Sequence, residues 1–309
     1  MRAFSLDGFD SPPALHELPA PVPADGEVLI RVQASSVNPV DNAIAAGMLN
    51  GMFEHDFPVI LGRDFAGVVE QAGPGATLAV GADVFGFVRH ADPAVGKGAW
   101  AELIAVPEAR IAARPAGVDL AAAGATPLAG ITALSAVDAL SLKAGESVLI
   151  VGATGGVGSF AVQFAVLAGA EVIAPGLPED EDYLRGLGAA EVVARDGDVA
   201  AAVRALRPDG VDAVIDLVSY TPDAFAPYGA ELTPDGRASS PVGAFEAGPG
   251  RFPVMAQPDP VALDWLGALL RAGTVRVPIQ GSYGIEEAGA ALAALPATHS
   301  QGKLALSVA

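Results

Sequence analysis

The segment Val148-Leu149-Ile150-Val151-Gly152-Ala153-Thr154-Gly155-Gly156-Val157-Gly158 constrains this chain more than any other stretch. A run of buried-strand residues enters a glycine-rich turn, and an apolar helical segment, Phe160 to Leu167, leaves it. Glycines let backbone amides approach a ligand closely. The following helix offers free N–H groups and the positive end of its dipole to an anion. Against the G-x-G-x-x-G pattern of dinucleotide-binding turns, the first glycine is Ala153, and Gly155 and Gly158 take the other two places. A bare match of this kind is weak; the strand before it and the helix after it make it strong. A side chain at Gly155 or Gly156 is expected to stand where a pyrophosphate approaches, and to strain any positive φ there. A P-loop is excluded, because Ser159 and Phe160 follow Gly158 where Lys and Ser/Thr are required. The short-chain dehydrogenase pattern fails as well: Lys97, Lys143 and Lys303 have no tyrosine four residues ahead of them.

The texture of the chain changes around this turn. Up to about Pro115, short strands (Val28–Val32, Gly67–Glu70, Val84–Val88) are broken by glycine and proline, which suggests an irregular β-barrel or sandwich. After Ala121, strand-like runs at Val148–Val151, Glu171–Ala174, Glu191–Ala194, Ala213–Leu217 and Arg237–Ser240 alternate with helical segments at 160–167, 183–187 and 199–206. That alternation argues βαβ units and a parallel sheet. A helix over Ile285–Leu295 and a strand over Lys303–Val308 close the chain.

Composition excludes several function classes. The chain of 309 residues has no cysteine, so disulfides, thiolate metal sites and a cysteine nucleophile are out, and a reducing cytoplasm is the expected location. A formal charge of −19 repels phosphate backbones, so no nucleic-acid partner is expected. Two uncharged stretches, Leu120–Val137 and Ser147–Ala170, are long enough to span a bilayer, but glycines and Pro127 interrupt them. No membrane span is expected, and Met1–Asp7 lacks the apolar core of a signal peptide.

With the turn at mid-chain behind a β-rich half, the sequence resembles the medium-chain dehydrogenase/reductase superfamily, in its zinc-independent quinone oxidoreductase (zeta-crystallin-like) branch. The segments that carry the resemblance are Val37-Asn38-Pro39-Val40-Asp41, Pro58 to Val69, Gly98-Ala99-Trp100-Ala101-Glu102, Leu142 to Glu146, the glycine turn and Gly302-Lys303-Leu304. The resemblance implies an α/β fold in which a Rossmann doubly wound parallel sheet (122–264) is inserted into a GroES-like β-barrel domain (1–121 plus 265–309). It implies hydride transfer from a nicotinamide to a quinone or α,β-unsaturated carbonyl. It also places Asn38 and Thr132 as catalytic and nicotinamide-side residues, able to orient the ring or the substrate oxygen. Ala153, Thr154, Gly155, Gly156, Val157, Gly176, Val218 and Ser219 are the remaining cofactor residues.

Zinc-dependent relatives carry a cysteine where Asn38 stands and Gly-His-Glu where Gly62-Arg63-Asp64 stands, so no metal is expected here. Without a Lewis acid, alcohol oxidation fits poorly and a conjugated acceptor fits better. Some relatives place a tyrosine or lysine two residues after the equivalent of Asp41; here that residue is Ala43, which removes a candidate proton donor. A nicotinamide-binding protein with little turnover, a sensor or bulk protein, is the competing reading. At the end of the second strand, Gly176 stands where NAD-specific relatives have an aspartate for the ribose hydroxyls, so NADP is the expected cofactor and NAD the alternative. The substrate pocket is expected from the loops Met48–Phe57 and Pro241–Phe252. A homodimer is expected through an edge strand over Arg251–Gln257.

Overall fold

The computed structural model describes residues 1–92, 94–297 and 299–308. It separates into two units, which the chain enters more than once. One comprises Met1–Leu128, Gln257–His299 and the last strand from Lys303; the other comprises Ala129–Ala256 and Ser300–Gly302. These divisions fall at 128/129 and 256/257, where the resemblance implies 121/122 and 264/265. The helix Leu120–Ala125 packs on the strands Glu27–Val37 and Asp64–Ala72, so it stays with the first unit. Pro260–Ala272 is one continuous helix packed on Ile111–Ala113, and a boundary at 264/265 cuts it in half. Its start is a strong local signal: Asp259 caps the amides of Val261 and Ala262, and Pro260 occupies the first turn.

The first unit is built on a seven-stranded sheet. Its path runs Ile279–Gly284, Lys303–Ser307, Glu27–Val37, Asp64–Ala72, Asp83–Phe87 and Ile111–Ala113, with Leu103–Pro107 added on Glu27–Val37. Pairing is antiparallel except between the two strands nearest the C-terminus. A three-stranded sheet (Ala14–Glu17, Arg2–Leu6, Val59–Ile60) accompanies it. Trp100, Phe65, Leu61, Ile30 and Ile44 fill the core.

The second unit carries a parallel sheet in the order Glu191–Ala194, Glu171–Gly176, Ser147–Val151, Val211–Asp216, Leu232–Ser240 and Arg251–Pro253. From the first strand, Ser147–Val151, the next two run off to one side and the last three to the other, the order of a doubly wound Rossmann sheet. Five consecutive buried residues, Ser147 to Val151, suit a strand covered on both faces. The two uncharged stretches resolve into short elements. Leu120–Val137 becomes two helices broken at Thr126-Pro127, and Ser147–Ala170 becomes strand, turn and helix. Among the described residues no helix is long and apolar enough to cross a membrane.

The edge strand is shorter than expected. It spans Arg251–Pro253 instead of Arg251–Gln257, because Pro253 has no N–H to donate and the chain leaves the ladder after Val254 bonds the Ser240 carbonyl.

Candidate active site

In the second unit the glycine turn leaves Val151, and Gly152 adopts φ +87°, where Val218 Cγ1 lies 2.8 Å from the point a Cβ would occupy. Gly155 is the N-cap of the helix Gly156–Leu167. Its backbone is extended (φ −72°, ψ −179°), so the expected positive-φ strain does not arise there. A Cβ on Gly155 would meet Gly152 O at 3.6 Å, an ordinary contact, whereas a Cβ on Gly158 would lie 2.1 Å from that same carbonyl. The two glycines therefore serve different ends. Gly158 lets helix and strand pack, and Gly155 keeps the space above the helix N-terminus clear. That cradle fits the pyrophosphate of a dinucleotide, with the amides at the start of Gly156–Leu167 as its donors.

The surrounding residues hold the turn in shape. Ala153 and Thr154 are buried, while Gly155, Gly156 and Val157 are half-buried. The Thr154 carbonyl accepts from Gly302 N at 2.8 Å and from the Tyr183 hydroxyl at 3.3 Å. At the end of the second strand, a Cβ on Gly176 would come within 2.7 Å of Leu184 Cδ1. Asp180 is fully buried, accepting from Leu177 N and Gln301 Nε2, and so is spent on its own loop. Val218 is exposed and Ser219 buried, and the amides of both donate to Asp216 Oδ1 at 2.9 Å. Thr132 lies in the helix Pro127–Asp138, nearly buried, within this unit.

Asn38 belongs to the first unit, in a buried polar cluster that sequence reasoning reached only in part. Its Oδ1 accepts from Lys303 Nζ at 2.6 Å, and its Nδ2 donates to Asp64 Oδ2 at 2.8 Å. Both ends of the amide are held, which fixes its orientation, and Oδ1 keeps a second lone pair. Asp64 also accepts from Ser36 Oγ and Leu128 N, each at 2.6 Å. Asp41 accepts from Asn38 N and Gly62 N, with Arg63 Nε 3.7 Å from its Oδ1. Arg63 donates to the carbonyls of Ile60 and Arg89. Asp41, Arg63, Asp64 and Lys303 are all essentially buried, two anions against two cations. Burial pushes the Asp41 carboxyl up to about 6 against the pull of Arg63. It pulls the Lys303 ammonium down against Asp64 and Asp41.

These residues do not fit zinc. At the positions where metal-dependent relatives place ligands stand an amide bonded to Lys303 and Asp64 and an arginine. The two carboxylates of the cluster are already committed, Asp64 to Ser36, Asn38 and Leu128 and Asp41 to Asn38 N, Gly62 N and Arg63, so neither is free to ligate a metal. In the same unit the loop Met48–Phe57 borders a concavity of about 520 Å³ lined by Phe9, Met52, Phe53, His55 and Phe57. Phe9, His55 and Phe57 pack ring on ring, at centroid distances of 5.0 to 5.9 Å.

Known proteins agree with this architecture. Residues 24–116 match the alcohol dehydrogenase GroES-like domain family, and residues 156–264 match the family described as zinc-binding dehydrogenase. A chloroplast envelope quinone oxidoreductase homolog from Arabidopsis thaliana is 30% identical over 313 residues, spanning 93% of this chain and 92% of its own. A 2-methylene-furan-3-one reductase from Solanum lycopersicum is 32% identical over 197 residues, 61% of this chain and 50% of its own. The solved structure of the quinone oxidoreductase from Coxiella burnetii superimposes with a TM-score of 0.89 at 28% identity, covering 100% of this chain and 99% of that one. On fold, motif order and similarity along nearly its whole length, this chain belongs to the medium-chain dehydrogenase/reductase family, in its quinone oxidoreductase branch.

Proposed function

We propose that the protein is an NAD(P)H-dependent reductase of quinones and α,β-unsaturated carbonyls that works without zinc. The observation that carries this is the open glycine cradle at the end of the first parallel strand, in a chain similar over its length to a quinone oxidoreductase homolog. When bound, the reduced nicotinamide supplies a hydride that, with a proton from water, turns a quinone into a hydroquinone or an enone into the saturated carbonyl. The chain's part is to bind and orient. The amides at the start of Gly156–Leu167 take the pyrophosphate, and Val218 and Ser219 line the nicotinamide side. The aromatic concavity beside Met48–Phe57 suits a flat conjugated acceptor. A conjugated acceptor spreads the incoming charge, which a site without a Lewis acid requires.

A second reading, nicotinamide binding with little turnover, draws support from Ala43, which offers no proton where some relatives have a tyrosine or lysine. Mixing the purified protein with NADPH or NADH and a panel of quinones and enones decides between them. Steady nucleotide oxidation with at least one acceptor is the expected outcome. Binding without oxidation across the panel supports the second reading.

For the cofactor, NADPH is the preferred form in this proposal. Gly176 offers no carboxylate to the ribose, and Asp180 is spent. Of the two nearby arginines, Arg185 is tied to Glu181 and the Ala190 carbonyl. Arg195 is exposed, and its amide bonds the Gly176 carbonyl at 3.0 Å, which roots it beside the strand end. The exposed acids Glu179, Glu181 and Asp182 oppose a phosphate, so the preference rests on Arg195. Arg195→Ala is expected to raise the KM for NADPH about tenfold and leave that for NADH unchanged, the loss of one charge-assisted bond. Equal KM changes for both nucleotides remove Arg195 from this role.

We also propose a homodimer through the edge strand Arg251–Pro253, which pairs on one side with Leu232–Ser240 and carries exposed Phe252, with exposed Met255 just beyond its end. Light scattering at micromolar concentration should give twice the chain mass, and Val254→Asp should halve it. A single-chain mass for the wild-type protein refutes the pairing.

A further inference from the structure

We propose that the Asp216 side chain biases bound nicotinamide nucleotide toward its oxidised form, tuning the protein to give hydride away. The inference rests on the nicotinamide-binding reading above. Asp216 is fully buried at the end of the strand Val211–Asp216. Its Oδ1 accepts the amides of Val218 and Ser219, but its Oδ2, also buried, has no hydrogen-bond partner, and no cation pairs with it among the described residues. A buried carboxylate with no cation beside it and one bare oxygen is costly, and an asparagine could accept the same two amides without burying a charge. The charge therefore calls for a use beyond fastening the loop.

Its place supplies one. Asp216 stands directly opposite Val151, the residue before the glycine turn, and Leu217 N donates to the Val151 carbonyl at 3.1 Å. These two strands flank the point where the sheet order reverses, the crevice in which open parallel sheets bind their ligands. The strands Ser147–Val151, Glu171–Gly176 and Glu191–Ala194 form the half that takes the adenosine end, which leaves the nicotinamide to the half begun by Val211–Asp216. The Asp216 charge is felt nearby: burial, and after it this charge, push the Tyr228 phenol above its ordinary range. An oxidised nicotinamide ring is cationic and a reduced one neutral, so a fixed anion on that side stabilises the oxidised form selectively.

The test compares affinities for the two redox forms, without turnover. Wild type and Asp216→Asn are titrated with NADPH by its fluorescence and with NADP⁺ by competition. The amide retains an oxygen for Val218 N and Ser219 N and removes the charge. We expect the NADP⁺ Kd to rise about fivefold relative to the NADPH Kd. A fastening role alone shifts both affinities together, so an unchanged ratio overturns the proposal. Where the asparagine variant does not fold, Asp216→Ser, also uncharged, is read by the same ratio. Failure of the wild-type protein to bind NADPH, NADP⁺, NADH or NAD⁺ overturns the nicotinamide reading itself, and this inference with it.

Discussion

Gly155→Val is expected to fold like the wild type and to lose nicotinamide nucleotide affinity by about a hundredfold, the equivalent of two charge-assisted hydrogen bonds. The protein has room for a Cβ there, 3.6 Å from Gly152 O, and its φ of −72° is open to any residue, so the added side chain projects toward the space kept for the ligand. Gly158→Val is the counterpart. Its Cβ would stand 2.1 Å from the Gly152 carbonyl, a backbone collision that no rotamer relieves, and the loss in stability should exceed about 3 kcal/mol. Calorimetry and nucleotide titration on both variants separate the roles. A folded Gly155→Val protein with wild-type affinity means that the turn is not the phosphate site.

Arg63→Met should destabilise the protein by about 3–5 kcal/mol at pH 7.5, because it strips the buried Asp41 carboxylate of its cation. The cost should shrink at pH 5, where that carboxyl can take a proton. The wild type carries the same signature in weaker form. The Asp41 pKa in the folded chain, about 6, lies above its ordinary value of 3.8, so the folded state binds the extra proton. The stability this proton confers is complete below pH 4 and is lost as the pH rises through 6, a swing of about 3 kcal/mol at 1.36 kcal/mol per pKa unit. Denaturant unfolding at the two pH values reads both effects. A cost for Arg63→Met that is small and equal at pH 5 and pH 7.5 would refute the pairing of these two groups.

Local chemistry explains which parts of this picture the sequence discloses. The parallel strands are legible because apolar runs such as Val148–Val151 are buried on both faces and bounded by glycines. The helix Val199–Leu206 is legible from its apolar spacing. Pro260–Ala272 is missed despite Asp259-Pro260 at its start, since no composition change marks it as a single element. The charge cluster is harder to see. Lys303 sits in the apolar strand Lys303–Ser307, more than 200 residues from Asp64 and Asn38, and only the pairing of Lys303–Ser307 with Glu27–Val37 brings them together. Asp216 lies one step further out of reach. Nothing in Val211 to Ser219 indicates that one carboxylate oxygen is satisfied twice and the other not at all.

The four buried charges also bear on how a fold of this kind could move between metal-bound and metal-free chemistry. Placing a cysteine at position 38 alone breaks the bonds that Asn38 makes to Lys303 and Asp64 and leaves Arg63, which cannot ligate a metal, at the second position. Restoring a histidine at position 63 alone abandons Asp41 in the core. Each single change thus costs bonds of the buried cluster without completing a metal site. Building a metal site here therefore calls for positions 38, 63 and 303 to be changed together.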